Sequence, residues 1–186
     1  MKLYIKNMVC NRCITAVERV FKDLNLEINT VSLGEVETAE DLNSTELRKL
    51  DASLRESGFE ILEDYAQQLI EKVKNEIILL VDGLDIPEDF ILSKWISEKL
   101  NRDYSAVSKL FSQNENVTLE QYFILQKIEK VKELLLYDEF SLTEISGKLG
   151  YKSVQHLSSQ FKNVTGFTPS GFKKLKVKNR IPLDEI

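Results

Sequence analysis
Apolar positions set the first expectations. Lys2–Asn7 alternates, with Leu3 and Ile5 on one side, and predicts a strand. Ile14, Val17, Val20, Phe21 and Leu24 then fall on one face of a helix. Val31 and Leu33 mark a second strand, and Gly34 permits a tight turn into a third around Glu35–Thr38. Asn43 and Glu46 have capping-box spacing ahead of a helix with the face Leu47, Leu50 and Leu54, which Gly58 ends. Phe59–Leu62 supplies a last strand, so residues 1–62 read βαββαβ.

From residue 63 onward the period is helical. Ala66, Ile70, Val73, Ile77, Leu80 and Leu84 make a heptad seam across a connecting helix over 63–84. The seam reads either as packing against the following domain or as a homodimer surface. Pro87 belongs to a turn, and Phe90-Ile91, Trp95-Ile96 and Leu100 predict the next helical face. Asp103 is placed to cap a helix burying Tyr104, Val107, Leu110 and Phe111. Thr118 and Gln121 open a long helix over 119–137. Ser141 and Glu144 form another capping box, Leu142, Ile145 and Leu149 share a face, and Gly150 stands where a left-handed residue ends a helix. Val154, Leu157 and Phe161 stripe a further helix, and Thr168-Pro169 opens a last one. The expected class is α+β: a ferredoxin-like unit followed by an all-α domain.

Charge sharpens the division. The formal total of −5 argues against nucleic acid by itself. Residues 1–84, however, carry 10 Lys and Arg against 16 Asp and Glu, whereas residues 85–186 carry 15 against 14. From Lys148 to Arg180 there are eight Lys or Arg and no acid. Two halves with different partners are implied. No apolar run reaches the roughly 18–20 residues that span a bilayer, and no signal-peptide pattern opens the chain, so a cytoplasmic protein without a membrane partner is expected.

The segment EISGKLGYKSVQHLSSQFKNVTGFTPSGFKK resembles the second helix-turn-helix of the AraC family of bacterial transcription regulators. Ile145, Leu149-Gly150-Tyr151, Ser153, Phe161-Lys162, Gly166, Thr168-Pro169 and Phe172-Lys173 fall on that family's pattern. Val107-Ser108-Lys109-Leu110-Phe111 matches the end of its first recognition helix, and the run from Lys127 to Leu135 resembles its rigid linker. The resemblance implies a DNA-binding domain over 85–176, a flexible tail over 177–186, and two recognition helices entering adjacent major-groove segments of double-stranded DNA. On the helical wheel, Ser105, Ser108, Lys109 and Ser112 face away from the first apolar stripe. Gln155, His156, Ser159 and Asn163 do so on the second, with Lys162 at the edge. Gln suits adenine, and His or Asn can also reach base edges. Ser153, Lys148, Lys152, Lys173, Lys174, Lys176, Lys178 and Arg180 complete the expected contact set, the cations meeting phosphates.

The only cysteines, Cys10 and Cys13, lie between the first strand and first helix in MVCNRC. With the βαββαβ order, this resembles the heavy-metal-associated domain of copper chaperones and metal-transporting ATPases. Asn7 stands where that loop commonly has Gly, and Asn11-Arg12 separate the cysteines. By this resemblance Met8 points inward. Two thiolates suit Cu(I) or another soft ion better than a four-ligand zinc site, and the helix N-terminus is expected to lower the thiol pKa. A thioredoxin-like redox pair and a CxxC on a fold that binds something else remain the alternatives. The function expected is a transcription regulator with an N-terminal sensor. A metal chaperone using the helical domain for protein docking is the competing reading. No catalytic constellation is visible: there is one His, no nucleophile–base pair and no Gly-rich phosphate loop.

Overall fold
The structure is a computed structural model that describes residues 1–175 and 180–186. The chain divides into two compact units, Met1–Asn75 and Glu76–Ile186.

Unit one contains β1 (Lys2–Lys6), α1 (Asn11–Asp23), β2 (Ile28–Ser32), β3 (Glu35–Thr38), α2 (Ser44–Glu56) and β4 (Glu60–Ile61). The strands form one sheet in the order β2-β3-β1-β4. Every pairing is antiparallel, with Leu3 opposite Val36 and Ile5 opposite Ile61. Alternation places Leu3 and Ile5 on the core face, where they meet Val17 and Phe21 of α1 and Leu50 and Leu54 of α2. Asn43 accepts from Thr45 and Glu46 N–H while Glu46 returns a bond to the Asn43 N–H, so the expected capping box forms. Leu33 is not part of the second strand: it falls in the turn with Gly34, whose φ of +78° demands a residue free of a Cβ clash.

The helix α3 (Tyr65–Asp82) belongs to unit one through Asn75 and to unit two from Glu76. Its heptad seam is not a free surface. Ile70, Val73 and Ile77 are buried within the chain, and Leu84 lies past the helix end in a left-handed conformation (φ +54°). Ala66, Leu80 and Leu84 of the seam are half-buried, so the chain's own packing covers the stripe in part.

Unit two contains α4 (Leu92–Leu100), α5 (Tyr104–Asn114), α6 (Leu119–Tyr137), α7 (Leu142–Lys148), α8 (Val154–Thr165) and α9 (Pro169–Lys173). Ile91 precedes α4 and is exposed, so it leaves the predicted apolar face. The 19-residue α6 is about 28 Å long and touches α5, α7, α8 and α9. It is buried nearly all round, including Gln126, Lys127, Glu129 and Lys132. Glu129 takes an ion pair from Lys132 and a hydrogen bond from the Ile181 N–H at 3.2 Å, and Arg180 bonds Glu133 at 3.0 Å. Residues 180–181, within the stretch expected as a tail, thus bond to the buried Glu129 and the partly exposed Glu133 of α6. Lys176 and Lys178 lie outside the described residues.

Candidate nucleic-acid interface and cysteine pair
The second of the two expected reading units is α7, a turn and α8. Ser141 and Glu144 form the predicted capping box. Gly150 takes φ +68° at the turn, and a Cβ there would sit 2.7 Å from Ile86 Cγ2 and 2.8 Å from the Pro87 carbonyl oxygen. The closeness follows from the Ile86 N–H donating to Lys148 O at 3.0 Å. Tyr151 is buried and its hydroxyl donates to Gln160 Oε1 at 2.7 Å. The Ser153 hydroxyl caps α8 by accepting from the His156 N–H at 3.1 Å. Leu157 and Phe161 face the core, the latter edge-on to Phe172. Gln155, His156, Ser159, Lys162 and Asn163 are all exposed, so the solvent face of α8 is the face expected to read. His156 also sets its ring against Tyr151, 5.4 Å between centroids.

The first reading unit is α4, a turn and α5. Asn101 closes α4 at φ +50°, and Asp103 caps α5 by accepting from the Ala106 N–H at 3.0 Å. The Ser105 hydroxyl, then the Ala106 amide, hold the Asp103 carboxyl below the usual range. Val107 and Phe111 are buried, and Phe111 packs on Tyr122 of α6. Lys109 is exposed. The serines beside it are partly occupied at home: Ser105 donates to Asp103, and Ser112 donates to Ser108 O at 2.9 Å. Ser108 is half-buried. Lys109 is therefore the strongest polar group of this head.

The cations differ in availability. Lys152, Lys162 and Lys174 are exposed, whereas Lys173 is paired with Asp138, and Lys148 lies over the Phe140 ring at 4.8 Å. Arg180 is engaged by Glu129 and Glu133. The wheel missed Lys127, which is 8% exposed. Its ammonium donates to Leu149 O at 3.2 Å and lies 3.9 Å from the Tyr151 ring centroid. Burial pulls its pKa from 10.5 to about 8. No spacing signal in the sequence separates this lysine from its solvated neighbours.

In unit one, Cys10 is the N-cap residue of α1 and Cys13 lies in its first turn, their sulfurs 3.5 Å apart. Both are half-buried. Burial holds the Cys13 thiol above its usual value, which corrects the lowering expected from the helix N-terminus. Among the described residues no group of three or more His, Cys, Asp or Glu is placed to hold a metal ion. The two cysteine sulfurs thus make a two-donor set, one whose chemistry would fit a soft monovalent ion. Asn7 precedes this loop at φ +70°, the left-handed region that Asn tolerates best after Gly, which explains its place in the loop. Met8 is fully buried.

Residues 96–175 match the family model described as a helix-turn-helix domain. Over 79 residues the chain is 32% identical to the Msm operon regulatory protein of Streptococcus mutans, covering 42% of this chain and 28% of that protein. Over 78 residues it is 31% identical to the Xylose operon regulatory protein of Haemophilus influenzae, covering 42% of this chain and 20% of that one. The chain therefore spans less than a third of the length of these curated relatives. In structure it is similar to the C-terminal domain of AraT, a response regulator from Geobacillus stearothermophilus, with a TM-score of 0.52 and 21% identity, covering 63% of this chain and 91% of that one. Residues 96–175, within unit two, are thus similar to a helix-turn-helix domain. Among the described residues, no helix is long and apolar enough to cross a membrane.

Proposed function
We propose that the chain is an AraC-type transcription regulator in which α5 and α8 enter two adjacent major-groove segments and unit one senses a soft ion through Cys10 and Cys13. The observation that carries the DNA reading is the pair of side-chain-capped helices, α5 and α8, each with an apolar face on the core and a polar face in solvent, flanking a buried α6. The match of residues 96–175 to a helix-turn-helix domain supports it, as do two relatives named as operon regulators. The α5 face contributes Lys109, and the α8 face contributes Gln155, His156, Ser159 and Asn163 for base edges.

The sensor reading rests on the sulfur separation and on the ferredoxin-like order of unit one. When bound, a soft ion would bring a fixed positive charge to the thiolates. Cys10 and Cys13 would hold it, with Met8 supporting the loop from the core. A ligand at unit one alters DNA affinity only as far as it prefers one state of the chain.

Two measurements test this. DNA selected from a random duplex pool is titrated with the full chain by fluorescence anisotropy at several salt concentrations. Phosphate contacts by Lys152, Lys162 and Lys174 predict a log–log salt slope of about −2.7 or steeper; no binding even at low salt refutes the regulator and favours the chaperone. Cu(I) competition against a colorimetric chelator is then run on the wild type and on the Cys10→Ser/Cys13→Ser protein. Equal affinity of the two refutes the thiolate site.

A further inference from the structure
The loop that carries the cysteines is held from outside by one side chain of α3. The Asn7 N–H donates to Glu71 Oε1 at 2.8 Å, while the Asn7 side-chain amide donates to Gly58 O at 3.0 Å. Asn7 is the left-handed residue at which the chain leaves β1, and Met8 next to it is anchored in the core. Glu71 is only 7% exposed, so its bond to Asn7 is largely shielded from water. We propose that Glu71 is a positioning residue that couples the state of the Cys10–Cys13 pair to helix α3 through the Asn7 backbone. This rests on Cys10 and Cys13 being the sensing site.

The same stretch of α3 also contains the element that makes the coupling switchable. One turn beyond Glu71, Asn75 is buried and neither atom of its amide has a hydrogen-bond partner among the described residues. It abuts the β2–β3 turn, where a Cβ at Gly34 would collide with it. Lys72 adds a 3.7 Å ion pair to Glu35 at that turn. The seat of α3 on unit one therefore combines a strong bond at Glu71 with an unpaired amide that water would satisfy on release. Such opposed terms leave two arrangements close in free energy. Cys13 is fixed within α1, whereas Cys10 lies in extended backbone (φ −160°), so an event at the pair displaces the Cys10 side and, three residues upstream, Asn7.

The test is amide hydrogen exchange on the full chain, for the wild type, Glu71→Ala, Glu71→Gln and Asn75→Leu. Each is measured free, with one equivalent of Cu(I), and after iodoacetamide alkylation of both cysteines. In Glu71→Ala the Asn7 amide should exchange about tenfold faster or more, the equilibrium worth of one shielded hydrogen bond, while Glu71→Gln, which keeps the acceptor, stays near wild type. Alkylation should change exchange across residues 76–82 in the wild type and the Gln protein but not in the Ala protein. Asn75→Leu should slow exchange there and blunt the response; it decides the matter if Glu71→Ala loses its sheet. An unchanged α3 on alkylation of the wild type, or an equal response in Glu71→Ala, overturns the coupling. If the wild type takes up no Cu(I) while alkylation still moves α3, the metal reading fails and the coupling stands.

Discussion

The buried Lys127 provides the most quantitative test of the helix-turn-helix packing. Its pKa is about 8 in the folded protein against 10.5 for an ordinary lysine. Below pH 8 the side chain is charged in both folded and unfolded chains, and folding bears the full desolvation cost. Above pH 10.5 it is neutral in both and the cost is gone. Between these limits the unfolded chain binds more protons, so stability rises with pH. Applying linkage to those two values, unit two should gain about 2 kcal/mol between pH 7.5 and 9.5. The Leu149 carbonyl and the Tyr151 and Phe123 ring faces favour the ammonium, which makes that figure a ceiling. Lys127→Met removes the titration and keeps much of the volume. Urea unfolding followed by the fluorescence of Trp95, the chain's single tryptophan, reports on this unit. Tyr104 and Tyr151 are both shifted upward and do not interfere below pH 9.5. The wild-type minus Met difference should grow in favour of the wild type as pH rises. Parallel pH profiles for the two proteins would refute the buried, desolvated placement of this ammonium.

Two further outcomes follow from the same geometry. Gly150→Ala imposes a left-handed φ on a residue with a Cβ and drives that atom into Ile86 and the Pro87 carbonyl, so it should cost about 2 kcal/mol or more in urea unfolding; a loss near zero would contradict the close approach. Gln155→Ala should cost about 1–3 kcal/mol of binding on selected DNA and relax its sequence preference, whereas Lys174→Ala should weaken all sequences alike and reduce the salt slope by about 1. Anisotropy on matched and scrambled duplexes separates the two, and an unchanged preference in Gln155→Ala would mean that α8 presents another face.

Much of the architecture was legible because local rules and tertiary packing agree. The capping boxes at Asn43 and Ser141, the stripe Leu157–Phe161 and the strand pair Leu3 and Ile5 each follow from spacing, since cap geometry and amphipathic period are properties of the local chain. The outward face of α8 followed from the same period. The seam on α3 left packing and dimerisation both open because a heptad states only that one face seeks burial and not which surface buries it. The pattern did not show that Arg180 pairs with Glu129 and Glu133, or Lys173 with Asp138. Their partners lie between 35 residues (Asp138 from Lys173) and 51 residues (Glu129 from Arg180) away, beyond any pattern in the local sequence.

The sequence by itself determined the element order, the polar outward faces of α5 and α8 and the position of the cysteine pair at the mouth of a helix. Those features depend on residues within a few positions of one another. Tertiary structure decided which charges remain free, why Gly150 has no space for a Cβ, that Lys127 is desolvated, and that Glu71 holds the Asn7 amide. Each of these depends on what distant chain segments place around a group, because desolvation and close approach are set by neighbours in space and leave no periodic trace.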